Sequence, residues 1–126
     1  MIKKIKTLAQ SMEFINGDPD ILPYSLIRDQ VSNRPSYAAG QIKKDSIFGK
    51  ELHRLALNTK YKSYLDIGTW CGLGTTKCFL DGIITRQDDS CLYALETNKR
   101  FYDITNQYWN KYFEVYNIDK TKFRLF

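Results

Sequence analysis

The spacing of apolar and polar positions predicts alternating helices and strands in the C-terminal two-thirds of the chain. Apolar side chains recur at helical intervals in some stretches, and short, mostly apolar runs bounded by turn residues lie between them. The resulting strand–helix–strand–helix–strand order is typical of a parallel α/β sheet with right-handed crossovers. The predicted helices cover residues 44–58, 75–84 and 98–116, and the predicted strands cover 63–67, 91–96 and 122–126. We expect the strand 63–67 to be buried and the last helix to face the sheet with Phe101, Ile104, Tyr108 and Tyr112.

A different pattern fills the N-terminal third of the chain. Apolar residues at helical spacing predict a first helix, which Asn16 and Gly17 would end, and prolines follow in a turn. We therefore divide the chain into an N-terminal helical segment and connector, residues 1–42, and an α/β domain, residues 43–126. The apolar positions of the first helix are Ile2, Ile5, Leu8, Ala9 and Met12.

Composition narrows the class of protein. The chain has 126 residues, of which 43% are hydrophobic and 26% charged, proportions that favour one soluble globular domain over a disordered chain. No apolar run reaches the roughly 20 residues needed to span a bilayer, and no signal peptide is evident. The net charge is +5, but the lysines are scattered, which favours a solvated surface over a nucleic-acid site. Cys71, Cys78 and Cys91 contain no C-x-x-C pair, so we expect buried thiols in a cytoplasmic protein.

The stretch SYLDIGTWCGLGTT, residues 63–76, carries the candidate chemistry. Asp66 lies near the end of a predicted strand, and Gly68, Gly72 and Gly74 follow before a helix begins near Thr75. Ligands of open parallel sheets bind beyond the carboxyl ends of the strands. Glycines at that edge let a ligand approach the main chain, and a helix N-terminus favours an anionic group.

A second acidic residue suggests that the ligand contains a nucleoside. Glu96 ends the second predicted strand, where a carboxylate can accept hydrogen bonds from two ribose hydroxyls. The dinucleotide fingerprint G-x-G-x-x-G would need a glycine where Lys77 stands. Asp66 also suits a ligand with an amino group better than a pyrophosphate, since like charges repel.

A purely structural interpretation of the same residues stays open. The glycines could simply make a tight strand-to-helix turn, with Asp66 as a partner for helix amides. Trp70 would then anchor the core, and Glu96 would be a surface charge after a strand. Each feature alone is common, and only their joint order favours a ligand site.

The order D-I-G-T-W-C-G-L-G-T, followed by ALETN, resembles the first two motifs of class I S-adenosylmethionine-dependent methyltransferases. The catechol O-methyltransferase-like and related small-molecule O-methyltransferases are the most similar groups. The resemblance covers residues 40–126 and implies a Rossmann-like parallel sheet with flanking helices, incomplete at about three strands. It also implies S-adenosyl-L-methionine as cofactor and a small-molecule methyl acceptor carrying a hydroxyl group.

The resemblance also implies roles for individual residues. The methionine portion would be held by Asp66 and the turn from Gly68 to Gly72, Trp70 would flank the cofactor, and Glu96 would bind the ribose. Position 74 departs from the family, which often has a serine there, and the neighbouring threonine would take its place. The implied cofactor-binding residues are Asp66, Gly68, Thr69, Trp70, Gly72, Thr75 and Glu96.

A complete fold of this family has seven strands, so the parts that carry catalytic residues, metal ligands and the acceptor pocket have no counterpart here. We assign no catalytic residue and no metal ligand. The chain would be a truncated product, or a second copy or another partner would supply the remainder, and the first strand would have an open edge. The alternative functions are a non-catalytic nucleoside-binding or scaffold module and a fragment of an NAD-dependent oxidoreductase.

Overall fold

Three helices and three strands make up the part of the chain that the computed structural model describes, residues 42–126. The helix and connector predicted before residue 42 lie outside it. The order is that of the sequence-based prediction, with one short 3₁₀ helix added before the last strand. The elements are α1 (Ile47–Leu57), β1 (Ser63–Ile67), α2 (Thr75–Ile83), β2 (Cys91–Leu95), α3 (Lys99–Val115), the 3₁₀ helix Lys120–Lys122 and β3 (Phe123–Leu125).

The strands form one parallel sheet in the order β1-β2-β3. Tyr64 pairs with Leu92 across the first two strands, and Ala94 pairs with Leu125 across the second two. This arrangement confirms the predicted α/β class and is that of a partial Rossmann-like fold. Within the described residues β1 has a neighbour on one side only, as expected from the sequence.

Two capping side chains fix where the helices begin. Ser46 accepts a hydrogen bond from the amide of Gly49 over 3.0 Å, and α1 therefore starts at Ile47 rather than at residue 44. Asn98 caps α3 in the same way by accepting from the amides of Arg100 and Phe101. Both caps satisfy amides that have no acceptor within the helix.

The core lies between one face of the sheet and the helices. Both crossover helices pack on that face, since Phe79 of α2 contacts Tyr64 and Trp109 of α3 contacts Phe123. We predicted that α3 would face the sheet with Phe101, Ile104, Tyr108 and Tyr112. Ile104 and Tyr108 are buried, whereas Phe101 and Tyr112 are only partly so. The prediction missed the buried residues Thr105, Trp109 and Phe113.

A second prediction, that β1 is buried on both faces, is wrong. We expected a buried strand, but only Tyr64 and Asp66 are buried, while Leu65 is 59% exposed and Ile67 is 73% exposed. Successive side chains of a strand point to opposite faces, and both crossover helices lie on the face of Tyr64. The apolar residues of β1 therefore lie on the other face, next to the partly exposed Leu95 of β2.

Arg86, in the loop before β2, joins α1 to the sheet. Its guanidinium is almost fully buried and donates to the carbonyl of Ala56 over 3.0 Å and to the hydroxyl of Tyr64 over 3.1 Å. Asp88 accepts from the remaining nitrogens of the same guanidinium. A buried charge needs such partners, so this network fixes the start of β1.

The predicted burial of the three cysteines is confirmed. All three lie in the described part of the chain, are buried, and form no disulfide there. Burial raises the pKa of the Cys71 thiol to about 12 and that of Cys78 to about 11, which keeps both groups neutral.

Residues 42–126 contain no helix that is long and apolar enough to cross a membrane.

Candidate functional site

The turn between β1 and α2, residues 68–74, is here called the glycine loop. Gly68 and Gly72 have φ angles of 82° and 77°, a region that glycine enters without steric cost. Trp70, between them, has φ of 55°, which is rare for a bulky residue. Such a conformation persists only where neighbouring contacts hold it, and it is often found at functional sites.

The two glycines with positive φ have different surroundings. A side chain added at Gly68 would meet no atom within 4 Å, so this part of the loop faces open space. A Cβ atom at Gly72 would lie 2.7 Å from Cγ2 of Thr105 and 2.9 Å from Nε1 of Trp109. Gly72 is therefore required by the close approach of α3, whereas Gly68 is where a ligand could reach bare main chain.

The amides of the glycine loop donate within the chain. Those of Gly68 and Thr69 both donate to the carbonyl of Leu95, over 2.9 and 3.2 Å, and that of Gly72 donates to Thr69 over 3.0 Å. These bonds attach the loop to the end of β2. A ligand would therefore lie against the surface of the loop instead of accepting hydrogen bonds from these amides.

Glu96 faces the glycine loop from the end of β2. Its Oε2 accepts a hydrogen bond from the amide of Trp70 over 2.7 Å, and its Oε1 accepts from the amide of Asn98 over 2.8 Å. A carboxylate has about four acceptor positions, so these two bonds leave acceptor capacity on both oxygens. The half-buried carboxylate can thus stabilise the loop and still accept hydrogen bonds from a ligand.

Asp66 lies below the glycine loop, on the covered face of β1. The hydroxyl of Thr76 donates to its Oδ2 over 2.5 Å. Burial raises the pKa of Asp66 above its usual value, the hydrogen bond from Thr76 opposes this shift, and the charge of Glu96 adds to it. A cationic group placed beside Asp66 would reverse the effect of burial by stabilising the charged carboxylate.

Three residues of α3 hold the other side of the glycine loop, and sequence reasoning missed two of them. The hydroxyl of Thr105 donates to the carbonyl of Trp70 over 2.6 Å, and the indole Nε1 of Trp109 donates to the carbonyl of Gly72 over 2.9 Å. The ring of Phe101 packs on that of Trp70, with 5.4 Å between their centres. Positions 101, 105 and 109 recur every four residues and so lie on one face of α3, but this spacing does not indicate that the face contacts the loop.

The helix α2 begins at the same edge of the sheet. Thr75 is its first residue, and Gly74, at the N-cap, has no side chain with which to cap the first-turn amides. The structure thus brings together the predicted site residues of both motifs at the carboxyl ends of β1 and β2. It also shows that Thr76, which we did not predict, is the threonine that contacts Asp66.

Comparisons of the chain with protein-family models, curated proteins and solved structures find no significant match. Within residues 42–126, no group of three or more His, Cys, Asp or Glu side chains could hold a metal ion.

Proposed function

We propose that this chain is the S-adenosylmethionine-binding portion of a methyltransferase that acts on a hydroxyl group of a small molecule. The observation that carries the proposal is the direct contact between its two motifs, in which Glu96 accepts the amide hydrogen bond of Trp70. An acid that faces a glycine-rich turn across neighbouring parallel strands suits a ligand with a ribose and a charged arm.

Different residues of the site would contact different parts of the ligand. Glu96 would accept hydrogen bonds from the ribose hydroxyls, and the open surface at Gly68 would contact the methionine portion. The positive end of α2 suits the carboxylate of that portion. Asp66 would stabilise its ammonium group, and that positive charge would lower the pKa of the carboxyl, which burial raises.

S-adenosylmethionine bound here would supply an electrophilic methyl group to the acceptor oxygen, with its carbon–sulfur bond broken and S-adenosylhomocysteine as the leaving group. The contribution of this chain would be to hold and orient the ligand, and orientation of the reactants can remove a large part of the barrier to such a displacement. The acceptor and its general base would be provided by residues outside those described here, in a second copy, another partner or further chain.

Calorimetric titration of residues 1–126 with S-adenosylhomocysteine tests the proposal. We expect saturable binding, and Glu96→Ala should weaken it about tenfold or more through the loss of charge-assisted hydrogen bonds. Glu114→Ala is the matched control, since Glu114 is exposed on α3. A folded sample that gives no saturable heat at millimolar ligand would contradict the proposal, whereas binding of NADH without competition by S-adenosylhomocysteine would favour an oxidoreductase.

A further inference from the structure

Trp70 is held at both ends of its backbone unit by elements that are remote in sequence. Its amide donates to Glu96, at the end of β2, and its carbonyl accepts from Thr105, in the middle of α3. The two contacts therefore flank a bulky residue in the left-handed conformation, which such residues rarely adopt.

The conformation of Trp70 decides which part of the glycine loop is open. With Trp70 left-handed, the chain turns so that Gly72 packs under α3 while Gly68 faces open space. If Trp70 relaxed to an ordinary φ, the direction of the chain between the two glycines would change. The open surface proposed for the ligand would change with it.

From this geometry we infer that Thr105 is a positioning residue, which holds Trp70 in the left-handed conformation and so preforms the cofactor surface at Gly68. This inference rests on the proposed function. It differs from a role in packing alone, because Thr105 is fully buried and its hydroxyl hydrogen-bonds the loop. Valine would fill the same volume without a buried hydroxyl that needs a partner.

The two branches of the Thr105 side chain have separate tasks. The methyl group lies next to Gly72, and the hydroxyl lies 2.6 Å from the carbonyl oxygen of Trp70. A methyl group cannot approach a carbonyl oxygen that closely, since such contacts begin at about 3.3 Å. Thr105→Val should therefore displace Trp70, whereas Thr105→Ser keeps the hydroxyl and loses only the methyl group.

The test compares these two variants in the full chain, with Ile83→Val as the control. Ile83 is a fully buried residue at the end of α2 remote from the glycine loop, so its truncation weakens the core without touching the site. We expect Thr105→Val to raise the dissociation constant of S-adenosylhomocysteine about fivefold or more. Thr105→Ser and Ile83→Val should leave it within a factor of about two.

A second arm distinguishes positioning from general stability. Glycine adopts positive φ without cost, so in a Trp70→Gly background the loop no longer needs Thr105 to hold that conformation. Adding Thr105→Val there should change the affinity by much less than in the wild type, a coupling that a double-mutant cycle measures. Equal effects of Thr105→Val in both backgrounds would overturn the inference.

A third measurement does not depend on the ligand. Hydrogen exchange at the amides of residues 70–73 should be faster in Thr105→Val than in Thr105→Ser or Ile83→Val. If the wild type fails to bind S-adenosylhomocysteine but this difference in exchange is found, the proposed function is wrong, and the conclusion that Thr105 positions the glycine loop is retained. If exchange is the same in all three variants, Thr105 does not position the loop and the inference is wrong.

Discussion

The amide of Trp70 donates a hydrogen bond to the carboxylate of Glu96, so the acid that ends β2 stabilises the turn that follows β1. The two sequence motifs are thus one structural unit. Glu96 accepts from two backbone amides and remains half-exposed, so the same carboxylate stabilises the loop and keeps an accessible surface. The purely structural interpretation of Glu96 as a surface charge does not account for these two bonds.

Glu96→Gln should reduce the stability of the fold. A glutamine side chain has one carbonyl oxygen and one NH₂ group, so either Trp70 or Asn98 would lose its acceptor. We expect the free energy of unfolding to fall by about 1–2 kcal/mol, a typical value for one bond to a partly exposed charged group. Urea denaturation measures the change, with the exposed Glu114→Gln as control. Equal stability of the two variants would show that the bonds to Glu96 contribute nothing.

Most of the fold follows from patterns that lie within single segments of the chain. The order of helices and strands along the chain and the limits of α2 and α3 follow from apolar runs and turn residues, which act locally. The error at β1 has a tertiary cause. Leu65 and Ile67 look like core residues and Asp66 like a surface residue, but the helices cover the face of Asp66, where Thr76 satisfies the carboxylate.

The site was only half predictable for the same reason. Glycines after a strand and an acid after the next strand are adjacent in any parallel sheet, so their proximity could be inferred. The contacts from α3 could not, because Thr105 and Trp109 meet the loop across 35 and 37 residues of sequence. Nothing in the sequence around Gly72 indicates that its missing side chain serves packing against α3.

Gly68→Ala and Gly72→Ala should have different costs. At Gly68 the added methyl group enters open space, so the cost is that of a left-handed alanine, about 1–2 kcal/mol. At Gly72 the same cost is joined by collisions with Thr105 and Trp109, which add about 1–3 kcal/mol of overpacking. The order of the two unfolding free energies, measured by urea denaturation, checks the prediction.

In ligand binding the order of the two variants should be reversed, with the larger loss of affinity in Gly68→Ala. Gly68→Ala places a methyl group on the proposed cofactor surface and should weaken binding of S-adenosylhomocysteine despite its smaller effect on stability. Titration of both folded variants provides the comparison. Unchanged affinity in Gly68→Ala would mean that the ligand does not approach the main chain there.

Asp66→Asn should stabilise the protein at neutral pH. Burial raises the folded-state pKa of Asp66 above the usual 3.8. Between these two values the folded chain retains a proton that the unfolded chain has released, so stability falls as the pH rises through that window and stays lower above it. Asparagine remains neutral, and the stability gained by the substitution should therefore grow as the pH is raised from below 3.8 to neutral. Urea denaturation across this range measures it.

Two comparisons sharpen this test. Thr76→Val removes a hydrogen bond that stabilises the charged carboxylate, so the folded-state pKa of Asp66 should rise further and the pH dependence should widen. Under the proposed function, Asp66→Asn should also weaken binding of S-adenosylhomocysteine, since it removes the partner of the ammonium group. A stability gain that is independent of pH would show that it does not come from removing the charge of the Asp66 carboxylate.

Arg86→Lys should destabilise the fold without changing the site. A lysine ammonium cannot reproduce the fork that bonds Ala56, Tyr64 and Asp88 together, so we expect a loss of about 2–3 kcal/mol in urea denaturation. Arg54→Lys is the control, because that arginine forms an exposed pair and its substitution should cost much less than that of Arg86. Arg86 acts at the start of β1, and the glycine loop follows its end, so the affinity for S-adenosylhomocysteine should stay at the wild-type value in folded Arg86→Lys. Equal costs for the two arginines would show that burial adds nothing to the Arg86 network.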